Sequence, residues 1–194
     1  MFPVGFNMTL PRVWFQPAIT LSPIKKSKPL VDEAGALKYA LWLLGKRPYT
    51  QGALFEKFRR RSLPSAIGEA VMAKLIAKKF VNDAAFAEAF VHFKVTQNWG
   101  PTKIRMGLIL KKVPREIIDQ TLRASYPQED EARQAQELLE RQKQRFLRKK
   151  EKKPGQRLRQ ALEFLVRKGY SLTAARLAVD KVFRYNPDPP SEEN

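Results

Sequence analysis

The chain has no cysteine and only one histidine, His92. The first absence excludes disulfides and thiolate metal sites, and the second leaves too few ligands for a conventional zinc site. A Ser/His/Asp set is not expected around a lone histidine. A Gly-rich phosphate loop is also missing: Trp99-Gly100-Pro101-Thr102-Lys103 lacks the first glycine and the spacing of a nucleotide loop. No apolar run approaches the ~20 residues of a membrane span. The N-terminus has no charged start followed by a long apolar core, so no secretory signal is expected. Acids are the scarce charge, 19 against 37 lysines and arginines. The acid pairs Asp32-Glu33 and Glu129-Asp130 sit where helix starts favour negative charge. We therefore expect no enzyme, no cofactor and no metal. A cysteine-free chain suits a reducing compartment, and we expect a cytoplasmic monomer without a membrane partner.

The charge that is present is +18 in 194 residues. Polyanions are the natural partners of such a surplus: nucleic acid, an anionic surface or an acidic protein. The surplus is uneven. Residues 141–159 hold ten cations, Arg141, Lys143, Arg145, Arg148, Lys149, Lys150, Lys152, Lys153, Arg157 and Arg159, against the single acid Glu151. The segment reads either as a solvated helix face or flexible linker, or as a polyanion contact. Solubility is usually served by mixed charge, which favours the contact.

A unit recurs three times. Phe58-Arg59-Arg60-Arg61-Ser62-Leu63-Pro64, Leu110-Lys111-Lys112-Val113-Pro114 and Leu165-Val166-Arg167-Lys168-Gly169-Tyr170-Ser171 each join an apolar helix, a basic pair, a tight turn and a further helix. A period near fifty residues indicates stacked helical modules, which commonly grip other macromolecules. Helical periodicity begins near residue 31. The first unit has a stripe of Leu37, Ala40, Leu41 and Leu44, then a helix capped by Thr50 with Leu54, Phe55 and Phe58, then one with Ile67, Val71 and Leu75. The second opens at Asn82-Asp83 with Phe86, Ala87, Phe90 and Val91. Thr102 is placed to cap its next helix, and Pro114 starts its third. The third has Ala135, Leu138 and Leu139, a break at Pro154-Gly155, the stripe Leu158, Ala161, Leu162 and Leu165, and a last helix capped by Ser171.

The expected fold is all-α: a tandem array of three three-helix, helix-turn-helix-like repeats, elongated and curved. The expected divisions are a Pro-rich extension (1–30), repeats at 31–82, 83–128 and 129–185, and a loose tail (186–194). The extension carries five prolines with alternating Phe2, Val4, Phe6, Met8 and Leu10. It reads as a disordered segment or as one that docks on a partner.

The residues resemble the RecX family, regulators of the bacterial recombinase RecA, over about 34–183. The best segment runs from Leu75 to Ala87, with Phe80-Val81-Asn82-Asp83-Ala84-Ala85-Phe86-Ala87 similar to the family's apolar–Asp–x–x–Phe–Ala signature. Trp99 to Ile104, Leu110-Lys111-Lys112-Val113-Pro114 with Ile117, and Arg47-Pro48-Tyr49-Thr50 with Leu54 follow the same series. Where the family often has glycine in its turns, this chain has Ser62, Lys79 and Lys112. The resemblance implies a non-enzymatic modulator that binds the recombinase and its nucleoprotein filament in the filament groove and mostly inhibits it. In the family, DNA binding often accompanies this.

The candidate contacts are Arg59, Arg60, Arg61, Lys103, Arg105, Lys111, Lys112, Arg148, Lys149, Lys150, Lys152, Lys153, Arg157, Arg159, Arg167 and Lys168. Cations at helix C-termini also complement the helix dipole, and Lys103 and Arg105 also read as a solvated face. Trp99 and Tyr49 read as turn packing or as stacking groups. The partners expected are the recombinase filament and single- or double-stranded DNA. A stand-alone, sequence-independent DNA-binding protein is the alternative.

Overall fold

The computed structural model describes residues 29–126, 128–147 and 154–183. The described residues form nine helices and no strand: α1 (Glu33–Leu44), α2 (Gln51–Arg59), α3 (Ser65–Ala77), α4 (Asp83–Thr96), α5 (Pro101–Leu110), α6 (Arg115–Ser125), α7 (Gln128–Leu147), α8 (Pro154–Lys168) and α9 (Leu172–Phe183). They divide into two compact units, one ending at Asn82 and one beginning at Asp83.

In the first unit α1 and α2 both pack on α3. Asp32 caps α1 by accepting from the Gly35 amide at 2.9 Å. The expected Thr50 cap is present: its hydroxyl accepts from the Ala53 amide at 3.1 Å. Leu54, Phe58, Leu63, Val71, Met72 and Leu75 form the centre of the core. The α1 stripe differs from the expected one. The buried face is Ala36, Ala40 and Leu43, whereas Leu41 is 38% exposed. Two alanines at i and i+4 let α3 approach closely, and this turns the helix so that Leu41 faces outward.

In the second unit α4 packs on α6, with α5 against both, and α7 packs on α8 and α9. Phe90, Val91, Ile104, Leu108, Ile118 and Leu122 are buried in the first triplet. Leu138, Leu139, Phe146, Leu165, Val179 and Val182 belong to the core of the second. Ser171 caps α9 through the Ala174 amide at 3.2 Å, while Glu131 of α7 accepts from the Ser171 amide and hydroxyl.

The two triplets of this unit are joined through backbone. The Gly100 amide donates to the Lys168 carbonyl at 2.8 Å, and the Thr102 amide donates to the Gly169 carbonyl at 3.0 Å. The first N–H groups of a helix have no partner within it, so the neighbouring turn supplies one here. This corrects the expected Thr102 cap: Gly100 is the N-cap of α5 and Pro101 its first residue. The Tyr126 hydroxyl donates to the Trp99 carbonyl at 3.1 Å across the same region.

Candidate polyanion and partner interface

The basic turns share one backbone geometry. Ser62, Lys112 and Gly169 take positive φ of 54°, 60° and 95°. The amide of the next residue (Leu63, Val113 or Tyr170) then donates to the carbonyl five positions back, Phe58, Leu108 or Leu165, at 3.2 Å in each case. The left-handed residue's own amide reaches Arg59, Ile109 or Val166. This is the Schellman ending, which satisfies the last carbonyls of a helix and seats an apolar residue against it. Leu63, Val113 and Tyr170 are accordingly buried. Lys79-Phe80 after α3 and Asn98-Trp99 after α4 repeat the same bonds. The positions where the family often has glycine, Ser62, Lys79 and Lys112, are thus left-handed, the conformation glycine adopts without steric cost.

This geometry places the basic residues at helix ends. Arg59 and Arg60 are exposed and share Glu56 at 2.9 and 3.0 Å. Arg61 lies with its guanidinium carbon 4.4 Å from the Tyr39 ring centre. Lys111 is half-buried and Lys112 exposed beside the left-handed turn. Arg167 is exposed and Lys168 half-buried. Surface pairs of the Arg–Glu56 kind contribute roughly 0–1 kcal/mol each, little enough to be exchanged for a stronger anion.

Other candidates are engaged within the fold. Arg105 is ion-paired to Asp119 of α6, and the guanidinium holds the Asp119 carboxyl below its usual range. Arg159 pairs with Glu163 one turn on, at 3.0 Å. Arg157 is half-buried on α8. Arg148, Lys149, Lys150, Lys152 and Lys153 lie outside the described residues.

The structure gathers part of the set around Trp99. Its ring sits 4.3 Å from the Lys94 ammonium and 4.5 Å from that of Lys103. Lys94 is 6% exposed and also faces the Phe90 and Phe93 rings. Burial lowers its pKa, and the nearby charges of Lys111 and Lys103 lower it further. Lys103 also touches the Gly169 turn: a methyl group at Gly169 would meet the Lys103 Cβ at 2.3 Å. Lys103 and the Lys168-Gly169 turn are therefore neighbours, although Lys103 and Gly169 lie 66 residues apart in sequence. Trp99 packs at the turn between these cations, and Tyr49 packs on the core of the first unit.

Sequence reasoning missed two features. Lys94 is hidden in the sequence as one lysine in an apolar helix. On α1 of the first unit, Tyr39 and Trp42 stack with ring centres 6.2 Å apart, and the Lys46 ammonium lies 4.7 Å from the Trp42 ring. Their spacing of i, i+3 and i+7 is a legible signal, but the stripe of Leu37, Leu41 and Leu44 on the same helix competes with it.

Described residues hold no group of three or more acids or histidines able to bind a metal ion. No helix among them is long and apolar enough to cross a membrane. What they define is an all-helical protein of three-helix triplets, each with a cation-bearing turn between its second and third helices. The family model for the second three-helix domain of RecX matches residues 82–122. The regulatory protein RecX of Trichlorobacter lovleyi is 33% identical over 144 residues, 73% of this chain and 92% of that protein. The regulatory protein RecX of a Thermus thermophilus strain is 37% identical over 87 residues, 45% of this chain, and the match spans 60% of that relative's length. A crystal structure of RecX from Lactobacillus salivarius matches with a TM-score of 0.68 over 78% of this chain and 96% of that one, at 20% identity, a likeness of fold. The chain belongs to the RecX family of regulatory proteins.

Proposed function

We propose that this protein regulates the RecA recombinase by binding its nucleoprotein filament in the groove, and that its main effect is inhibition of recombination and repair. The observation that carries the reading is the recurrence of one turn, basic and left-handed, in each three-helix triplet. Similar surfaces repeated along one chain suit a target made of repeated subunits. Each contact can be weak, because the first raises the effective concentration of the next. Arg59, Arg60, Arg61, Lys103, Lys111, Lys112, Arg167 and Lys168 are the contacts we assign to acidic recombinase surface and DNA phosphate, together with the basic segment 148–153. Charge complementarity of this kind favours fast and selective association more than raw affinity.

The test is a pull-down of purified recombinase with and without single-stranded DNA and an ATP analogue, read beside recombinase ATPase and strand exchange. Retention of the filament and inhibition at well below one copy per protomer are expected. No inhibition even at excess, or retention of bare DNA alone, would remove the proposal.

A further inference from the structure

The stacked pair Tyr39 and Trp42 on α1 lies outside the basic turns, flanked by Arg61 of the first turn. Arg61, Tyr39, Trp42 and Lys46 form a sequence of cation, ring, ring and cation. The two rings are offset-parallel, with an interplanar angle of 18°. Trp42 is 57% exposed. Leaving so large an apolar ring in water is unfavourable by about 25 cal/mol for each Å² of apolar area. The nearby core of the first unit does not use it; the buried face of α1 is Ala36, Ala40 and Leu43.

Positive charge predominates in the unit that carries the row. Residues 29–82 carry ten lysines and arginines against four acids. The only acid of α1 is Glu33, and it is taken by Lys74 of α3. A partner for this surface must be anionic and must present flat faces to an aromatic ring. Duplex DNA satisfies the first demand but hides its base faces in the stack. An acidic protein surface satisfies the first demand and offers few planar groups. A single strand satisfies both, since its bases can be splayed out and its phosphates follow at short intervals.

We propose that Trp42, supported by Tyr39, is a stacking platform for unpaired nucleobases, with Arg61 and Lys46 taking the flanking phosphates. The inference deepens the filament reading, because it names single-stranded DNA as a direct ligand of the first unit; it rests on that reading only for its biological setting. Stacking tolerates any base, so the platform needs no sequence preference. Lys46 and Arg61 now lie over the rings, and each is on a flexible side chain able to exchange ring for phosphate.

The experiment compares the full chain with its Trp42→Ala and Trp42→Phe variants on three ligands of equal length: an oligo(dT), the same backbone with abasic sites, and a matched duplex. The expected loss for Trp42→Ala on oligo(dT) is about 5- to 150-fold, the range found when a base-stacking aromatic is removed. Trp42→Phe should recover most of it. Abasic and duplex affinities should be unchanged, and the thermal midpoint should stay put because the ring is exposed. The ratio of oligo(dT) to abasic affinity should also hold as salt rises, although both affinities fall. Equal losses on all three ligands, or none on oligo(dT), would overturn the platform. A DNA-free recombinase pull-down separates the two readings. If Trp42→Ala loses the recombinase but keeps oligo(dT), the row docks protein; the stacking site is then wrong and the filament reading survives. If the wild-type chain shows the oligo(dT) pattern without any recombinase effect, the filament reading is wrong and the platform survives.

Discussion

Replacing Gly100 by alanine tests how the second unit is held together. A methyl group there would stand 2.3 Å from the Gly169 carbonyl carbon and 2.4 Å from both the Gly169 oxygen and the Tyr170 nitrogen. Comfortable carbon contacts begin at about 3.5 Å, so the two backbones must part by roughly 1 Å. Backbone yields less readily than a side-chain tip, and overpacking alone costs about 1–3 kcal/mol. The separation also stretches the 2.8 and 3.0 Å bonds from Gly100 and Thr102 to the Lys168 and Gly169 carbonyls. Each such bond contributes about 0.5–1.5 kcal/mol net. The expected total is about 2–6 kcal/mol. The control is Gly155→Ala on α8, where a methyl group meets nothing within 4 Å. That change should be neutral or favourable by up to ~1 kcal/mol, since alanine suits helix better than glycine. Urea unfolding of the full chain reads both. With a slope of about 1–3 kcal/mol per molar urea, a loss of this size moves the midpoint by roughly 1 M or more. Hydrogen exchange at residues 100 and 102 should accelerate in step. A Gly100→Ala variant that unfolds with the Gly155→Ala control and keeps its amide protection would refute the idea that this close approach joins the two triplets.

Two further outcomes follow from local geometry and burial. Ser62→Gly and Lys79→Gly should each raise stability by about 0.5–1 kcal/mol: relief of a left-handed residue is worth roughly 1–2 kcal/mol, less the entropy glycine adds to the unfolded chain. Thermal denaturation checks this, and a loss at both sites would contradict the turn geometry. Burial pushes the Tyr126 phenol above its usual 10. A phenol held protonated in the fold contributes stability that is complete below pH 10 and is lost as pH rises past the unfolded value. Tyr126→Phe should therefore cost about 1 kcal/mol near pH 8, from the lost bond to the Trp99 carbonyl, with a gap to wild type that narrows above pH 10. A gap constant to pH 11 in denaturant titrations would count against that burial.

Much of the molecule was legible one segment at a time. The Thr50 and Ser171 caps form within three residues of themselves, and every turn that ends in Leu63, Val113 or Tyr170 closes its bonds within five or six. Such chemistry is local, so short stretches of sequence determine it. The same is true of the charge surplus and of the absent cysteine and scarce histidine, which removed whole classes of site. Family membership was also readable, because it rests on the order of these local signals. The departures at Ser62, Lys79 and Lys112 were visible as letters, yet their positive φ became plain only in the fold.

Contacts between distant segments were decided by tertiary structure alone. Whether α1 turns Leu41 or Leu43 inward depends on how closely α3 approaches Ala36 and Ala40, and both faces of that helix are apolar enough to serve. That choice is also what leaves Trp42 in solvent. Gly100 and Gly169 are 69 positions apart, and glycine's value at each lies in what the other brings against it. Lys103 and the Lys168-Gly169 turn became neighbours for the same reason, while Arg105 was drawn off by Asp119. Sequence determines which groups are available and how each helix begins and ends. Which of them meet is settled by the packing of whole helices, where the free energy is shared among many contacts and no single residue type announces the outcome.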